Sequence, residues 1–584
     1  MGKKLPIGIE DFAQLRTEDF YYADKTGFIK ELLQNWGQAN LFTRPRRFGK
    51  SLNMSMLKRF FEYGDNSRLF QGLEISREKE LCEAYMGRFP VIFVSLKGIQ
   101  GSSYEMALKM AGQLISAEAR RFQYLLESGS LQAHDKKLLD SLMLPDMDEP
   151  LLSYSLNVLS QLLEKHHRSK VILLIDEYDV PLAKAFAYGY YDQMTVLIRS
   201  LFEQALKTNE SLQFAVLTGC MRISKESIFT GLNNLKVLSI ADVRFAQYFG
   251  FTDSEVRAML DEYGLQKHYG TVREWYDGYQ FGNEQVYCPW DVINYCDILR
   301  ADPDAQPQNY WADTSSNDAV RQFIAQSDNG MLKRELEQLA AGEQITKEIR
   351  QELTYRDMYQ TVDNLWSVLF TAGYLTQRGR PDGKYFHLAI PNLEIREIFT
   401  NQIMDFFKKT VQRDGEAVNA FCDALKNGDA TQAEKRLQAY LKQTVSIRDT
   451  FGKKEMKENF YHGILLGILS FQASWGIFSN RESGEGYSDI LIETDEEDTG
   501  IVIEVKYPDD SGKSLEKGCL AALAQIEQKR YEEYLREEGM TVILKYGVAC
   551  YRKQCRIMLA ENADAVRNQA GKTVPSAQHC NAVE

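Results

Sequence analysis

The octapeptide Arg44-Pro45-Arg46-Arg47-Phe48-Gly49-Lys50-Ser51 constrains this chain more than any other feature. A strand-like apolar run, Ala39 to Thr43, precedes it, and a helix-like run, Leu52 to Glu62, follows. A Gly-Lys-Ser set between a strand and a helix is the context of a phosphate-binding loop. The helix N-terminus offers unpaired backbone N–H groups to an anion. In that context Arg46, Arg47, Phe48 and Gly49 would line the phosphates, Lys50 would reach the β and γ phosphates, and Ser51 would ligate Mg2+. The first glycine of the G-x-x-x-x-G-K-S pattern is Arg44 here, which predicts a reshaped loop or weakened nucleotide affinity.

A second motif supports the first. Val171 to Asp176 reads as a buried strand ending in acids. Asp176 would hold Mg2+ through water, and Glu177 would polarise an attacking water. Thr218 closes the next strand, where a hydroxyl can sense the γ-phosphate, and Arg222 is a candidate charge stabiliser just beyond it. The other strand-like runs are Phe89 to Leu96, Phe214 to Thr218 and Lys236 to Ile240. Helical stretches separate all of these runs, which predicts a wound α/β sheet. The polar stretch Leu131 to Glu149, with Pro145, reads as a surface excursion.

Strand signals become sparse from residue 252 to 450. Thr252 is expected to start a helix with Asp253 and Glu255 in its first turn. Asp363 to Thr376 reads as a helix ending near Gly373, followed by a short β pair around Lys384 to Ile390. Helices and then a small β wing predict a winged-helix module. From residue 451 the pattern changes again: a helix at Glu458 to Phe471, weak strand signals near Trp475 to Phe478, and strands at Asp489 to Glu493, Gly500 to Lys506 and Thr541 to Ala549. A single long helix, Gly518 to Glu538, is expected before the last strand. The order is αβββαβ.

This last region carries a second chemistry. Ser488-Asp489-Ile490-Leu491-Ile492-Glu493 and Ile501-Val502-Ile503-Glu504-Val505-Lys506 read as the arms of a hairpin joined by an acidic, turn-rich loop. A hairpin can bring Asp489 beside Glu504. Glu504 and Lys506 are two apart and so share one face. Two carboxylates, completed by the backbone carbonyl of Val505, can hold Mg2+ or Mn2+ to position water against a phosphodiester. Lys506 would orient that water or stabilise developing negative charge. His462 is read as a helix-surface residue.

Two resemblances follow from these motifs. RPRRFGKSL, LIDEYDVPL and RISKESIFTGLNNL (Arg222 to Leu235) resemble the AAA-ATPase-like family of bacterial proteins, as do YYADKT (Tyr21 to Thr26), WYDGY (Trp275 to Tyr279) and Pro289-Trp290. That likeness covers roughly residues 1 to 400 and implies that Arg44 is a family trait. It also implies a switch-like NTPase rather than a processive motor. The D-x(14)-E-x-K pattern in apolar strands resembles the PD-(D/E)XK nuclease superfamily, with Ser488 in place of the proline. This second likeness, over residues 440 to 560, implies a restriction-endonuclease-like domain. It adds Glu458 as an extra acid on the preceding helix and Gln525 as a catalytic residue on the later one.

Bulk properties set limits. The 584 residues are too many for one core. The expected organisation is a P-loop NTPase domain at 1–250, a helical and winged-helix-like lid at 251–400, a helical linker at 401–450, a nuclease-like domain at 451–561 and a polar tail at 562–584. Nine scattered cysteines without a CxxC pair fit a reducing compartment. No apolar run approaches a membrane span, and the N-terminus lacks a signal-peptide pattern; a cytoplasmic location is therefore expected. The net charge of −13 argues against constitutive coating of nucleic acid. The expected partners are nucleic acid, DNA ahead of RNA, through local or conditional contact, and further copies of this chain. The expected activity is an ATP- or GTP-regulated, metal-dependent nuclease. The rival is an NTP-dependent signalling or assembly switch whose nuclease-like domain is non-catalytic.

Overall fold

A computed structural model describes residues 2–221, 228–229, 234–311, 335, 338–339, 342–359, 361–399, 415–444, 454–469, 472, 474–483, 486–494, 498–508, 514–551 and 554–560. The chain forms two compact units, Met1–Phe323 with Gln344–Glu397, and Ile324–Glu343 with Ile398–Glu584. Arg222 and the tail at 562–584 lie outside the described residues.

The first unit is built on a five-stranded sheet of β1 (Ala39–Thr43), β2 (Val91–Ser95), β3 (Val171–Asp176), β4 (Leu212–Gly219) and β5 (Leu235–Leu238). Every pairing is parallel and the spatial order is β2-β3-β4-β1-β5. All residues of β1 and β3 are buried, as expected for continuous apolar strands covered on both faces. β4 lies between β1 and β3, so the strand ends carrying Arg44, Thr218 and Asp176 line up along one edge of the sheet. Helix α1 (Lys50–Phe61) leaves β1 through the octapeptide and buries Met54, Met56, Leu57, Phe60 and Phe61.

α2 (Asp253–Glu262) begins where expected, with Thr252 and Glu255 forming a reciprocal capping box. α3 (Pro289–Ala301) carries the Pro-Trp motif at its start. α4 (Val362–Ala372) is capped by the Thr361 side chain and ends at Gly373 in the left-handed region. The wing has one strand more than the expected pair: Ile345–Glu348, Tyr385–Ala389 and Thr376–Gln377 form a three-stranded antiparallel sheet. The surface excursion read from Leu131 to Glu149 is largely helix. Ala133–Met143 buries Leu139 and Leu142, and Pro145 falls beyond its end.

The second unit has the predicted αβββαβ core with one more strand. Helices α5 (Gly415–Lys426), α6 (Ala430–Thr444) and α7 (Lys454–Leu469) precede strands β6 (Gly476–Ser483), β7 (Gly486–Glu493) and β8 (Thr499–Lys506). Then come α8 (Leu515–Lys529), α9 (Glu533–Glu537), β9 (Val542–Tyr551) and β10 (Gln554–Leu559). The sheet runs in sequence order, antiparallel except for the parallel β8–β9 pair. One face packs Ile490, Ile503 and Val548 on Tyr461 and Leu465 of α7; Leu425 and Leu437, from the stretch read as a linker, join the same core. The other face packs Leu491, Val502 and Ile543 on Ile526, Tyr531 and Leu535.

The single long helix expected over Gly518 to Glu538 is two helices. Arg530 takes φ 56°, in the left-handed region. Tyr531 turns inward, where it is buried against Leu491 and Val502, and its N–H closes the helix on the Ile526 carbonyl at 3.1 Å. Burying that ring outweighs continuing the helix through it. Upstream, α8 lies directly on β9: a Cβ on Gly547 would stand 2.3 Å from the Cys519 carbonyl oxygen. Gly547 pairs with Glu504 in the sheet, so this close approach presses the helix onto the sheet beside the acid.

Candidate active sites

In the first unit, the octapeptide turns tightly at Arg47 (φ 70°) and Gly49 (φ 80°) before α1 starts at Lys50. Glycine at 49 serves the left-handed backbone rather than space, since a Cβ there would meet nothing within 4 Å. Lys50 is 4% exposed. Its ammonium donates to the carbonyls of Pro45 (3.0 Å) and Arg44 (3.2 Å) and stands 3.7 Å from Glu177. Burial works against its charge, but Cys220, Glu177, Asp179 and Asp176 outweigh burial and raise its pKa.

Asp176 is almost fully buried at the end of β3. One carboxylate oxygen accepts from Ser51 Oγ at 2.8 Å and the other from Thr218 Oγ1. Burial raises its pKa against these two hydrogen bonds. Glu177 follows with φ 54°, an uncommon conformation for a residue with a side chain. The structure thus brings together Lys50, Ser51, Asp176, Glu177 and Thr218, the last through the strand interposed between β1 and β3.

Asp179 is a residue that motif reading passed over. Its Oδ2 accepts the N–H groups of Cys220 and Met221, both at 3.0 Å, and so shapes the turn after β4. Burial, reinforced by Glu177, pushes its pKa up to about 6. The only signal in the sequence was the third acid of DEYD. Arg46 faces Cys220, Glu177 and Asp179.

Arg44 does not enter the loop. Its side chain is fully buried and donates to the carbonyls of Thr43 and Leu238, both at 2.9 Å, with the guanidinium over the ring of Phe249 at 4.7 Å. It therefore braces β1 to β5. At the position of the usual first glycine, this side chain thus serves as an anchor between β1 and β5.

The remaining motifs surround the same loop. Phe48 packs on Tyr279 of the WYDGY motif, with ring centroids 5.0 Å apart. Arg47 stacks on Trp290 at 4.0 Å and donates to the Tyr310 carbonyl at 3.1 Å. Lys25 of YYADKT joins Glu255 at 2.5 Å and so ties the N-terminal segment to α2. Lys25, Arg47, Phe48 and Trp290 line a cleft of about 580 Å3 that also reaches Arg46, Lys50, Tyr21 and Phe251. That volume suits a nucleotide-sized ligand.

In the second unit, the register Ile490↔Ile503 carries Asp489 and Glu504 to opposing positions at the end of the β7–β8 pairing. There the carboxylates take over the ladder: Asp489 Oδ2 accepts from Val505 N–H at 2.7 Å, and Glu504 Oε2 accepts from Asp489 N–H at 3.4 Å. Strand alternation puts Asp489, Glu504 and Lys506 on the α8 face, with Leu491 and Val502. Lys506 Nζ donates to Glu504 Oε1 at 2.8 Å. Burial, and then the nearby Asp489, push the Glu504 pKa up to about 7. Burial opposes the Lys506 charge, but Glu504, Glu458 and Asp489 raise its pKa overall.

Glu458 sits at this same end, where its Oε1 accepts from Tyr507 N–H at 3.1 Å. Gln525 does not join the carboxylates. Its amide donates to the Tyr531 hydroxyl at 3.1 Å, and no hydrogen bond links it to Asp489 or Glu504 among the described residues. His462 is not on the surface: it is 8% exposed, and its Nε2 lies 2.8 Å from the Asp489 carbonyl oxygen.

Among the described residues, no group of three or more His, Cys, Asp or Glu side chains could hold a metal ion. The donors at hand are two carboxylates and the Val505 carbonyl. They suit a hard cation whose coordination is completed by water and phosphate oxygens, as Mg2+ and Mn2+ accept. Among the described residues, no helix is long and apolar enough to cross a membrane, and every described cysteine is a free thiol.

Comparison with known proteins agrees with both halves. Residues 6–229 match the family model described as predicted AAA-ATPase. Residues 456–559 match the model of the PD-(D/E)XK nuclease superfamily. A protein of Azotobacter chroococcum mcd 1, described as an uncharacterized protein in the vnfD 5′ region, is 28% identical over 406 residues, 68% of this chain and 68% of its own length.

Proposed function

We infer, from the union of an AAA-ATPase-like region with a PD-(D/E)XK nuclease-superfamily region, that this chain is a nucleotide-regulated nuclease cleaving phosphodiester bonds in nucleic acid. The observation that carries the reading is the convergence of Asp489, Glu504 and Lys506 at the open end of one strand pair.

A divalent cation held by Asp489, Glu504 and the Val505 carbonyl would supply Lewis-acid polarisation of the phosphate and of water. Lys506 has its own part: its ammonium, anchored on Glu504, offers positive charge where the phosphorane oxygens gain negative charge. Glu458 fixes the strand just after Lys506. In the first unit Lys50 and the N-terminal amides of α1 bind phosphate. Ser51 and Asp176 would hold Mg2+, and Glu177 is placed to orient water. ATP is the favoured nucleotide and DNA the favoured substrate. Nucleotide binding would fall to residues 1–250 with the region 251–400 beside them, and cleavage to residues 451–561, whose core the helices of 401–450 complete.

A second reading has one observation in its favour. A chain of net charge −13 needs a local or induced attraction to reach a polyanion. A switch with a non-catalytic nuclease fold would fit that charge.

The test uses purified full-length protein with plasmid, single-stranded DNA and RNA, in Mn2+, Mg2+ or EDTA. Cleavage of at least one substrate in metal and none in EDTA is expected. It should rise as pH increases through about 7, because Glu504 must lose its proton to bind a cation. Nucleotide binding without cleavage of any substrate would favour the switch.

A further inference from the structure

At the proposed nuclease centre, both carboxylates double as strand-pairing groups. Asp489 Oδ2 takes the Val505 N–H, and Glu504 Oε2 takes the Asp489 N–H. A cation would draw on these same oxygens, which weakens the bonds that align β7 with β8 at this point. Something else must hold Asp489 while its carboxylate turns to the cation.

His462 is placed to do so. It lies on α7, whose Tyr461, Ile464 and Leu465 belong to the buried core. Its Nε2 lies 2.8 Å from the Asp489 carbonyl oxygen. A carbonyl only accepts, so Nε2 carries the proton and donates. This bond engages the backbone of Asp489 and leaves both carboxylate oxygens available. Ser479 Oγ stands 3.3 Å from the same nitrogen. One turn earlier on the helix, Glu458 accepts from Tyr507 N–H. The two residues are four apart and so share a helix face. α7 thus grips β7 at Asp489 and β8 just past Lys506, on either side of the acids.

We propose that His462 is a positioning residue of the cation centre, fixing the Asp489 backbone so that its carboxylate can exchange the Val505 N–H for a cation without the strand moving. The role rests on the nuclease reading above.

The test is a Mn2+ titration of the full-length protein without substrate, by calorimetry or electron paramagnetic resonance. His462→Gln keeps an N–H near the Nε2 position. His462→Asn is too short to reach the carbonyl. Circular dichroism checks the fold of both variants. His462→Asn is expected to weaken Mn2+ binding roughly 10- to 100-fold, the range seen when groups supporting a ligand are lost. His462→Gln should recover most of the affinity. In cleavage, kcat should fall in His462→Asn while KM for nucleic acid stays nearly constant. Wild-type Mn2+ affinity in His462→Asn would overturn the role. Wild-type protein whose Mn2+ binding is unaffected by Asp489→Ala would remove the centre itself, a failure distinct from that of His462.

Discussion

Asp489→Ala is expected to lower metal-dependent cleavage by about 100- to 1,000-fold or more, the cost of removing one preorganised stabilising group from an active site. Two carboxylates set the charge and the donor geometry of the proposed centre, and neither Lys506 nor Glu458 can replace one of them as a strand-borne ligand. The protein should remain folded. The variant loses a hydrogen bond to Val505 N–H, which contributes on the order of 1 kcal/mol. It also loses the repulsion between two close acids.

That repulsion has a pH signature. The Glu504 pKa is raised from 4.5 to about 7 by burial first and by Asp489 second. Between these values the native state holds the proton more tightly than the unfolded chain does. Stability from this group is therefore full below about pH 4.5 and is lost as pH rises to about 7. Asp489→Ala removes one cause of the shift. Relative to wild type, it should be more stable at pH 8 than at pH 4.5 when denaturant unfolding is followed in EDTA. Unchanged cleavage would move the active site elsewhere. A stability difference that does not vary with pH would contradict the coupling of the two acids.

Lys50→Ala is expected to weaken nucleotide binding roughly 10- to 100-fold or more, since a hydrogen bond to a charged group contributes about 1.5–3 kcal/mol. The Lys50 ammonium is buried and its charge is held by surrounding acids. It lies on two carbonyls of the loop itself, a conformation that phosphate oxygens can take over by accepting the same N–H groups. A fluorescent ATP analogue titrated into wild type and variant measures the loss. Tight binding in Lys50→Ala would sink the phosphate-loop assignment. The second unit should be untouched, so metal-dependent cleavage in the absence of nucleotide serves as the internal control.

Much of this architecture was legible because the decisive elements are locally encoded. β1 and β3 are short, fully buried runs; β3 ends in Asp176 and β1 leads directly into the octapeptide. The capping box at Thr252 and Glu255 and the helix stop at Gly373 are written in a few neighbouring residues. The E-x-K spacing fixed one face of β8, and the hairpin then set Asp489 opposite Glu504.

What was not legible depends on contacts distant in the sequence. The anchoring role of Arg44 could not be read locally because its partner, the Leu238 carbonyl, lies 194 residues away. His462 looked like a surface residue because nothing near it announces the Asp489 carbonyl. The break at Arg530 follows from Tyr531 finding a pocket between Leu491 and Val502, which helical periodicity cannot register. The extra wing strand, Ile345–Glu348, has only Ile345 buried, so it carries too weak a pattern to read alone.

The most direct test of a nucleotide-regulated nuclease compares the initial cleavage rate of wild type and Lys50→Ala, each with and without ATP, at fixed Mn2+ concentration. A rate that changes with ATP in wild type and does not change in Lys50→Ala is the predicted result. A wild-type rate indifferent to ATP, in protein shown to bind it, would contradict the account and leave two activities that share a chain without communicating.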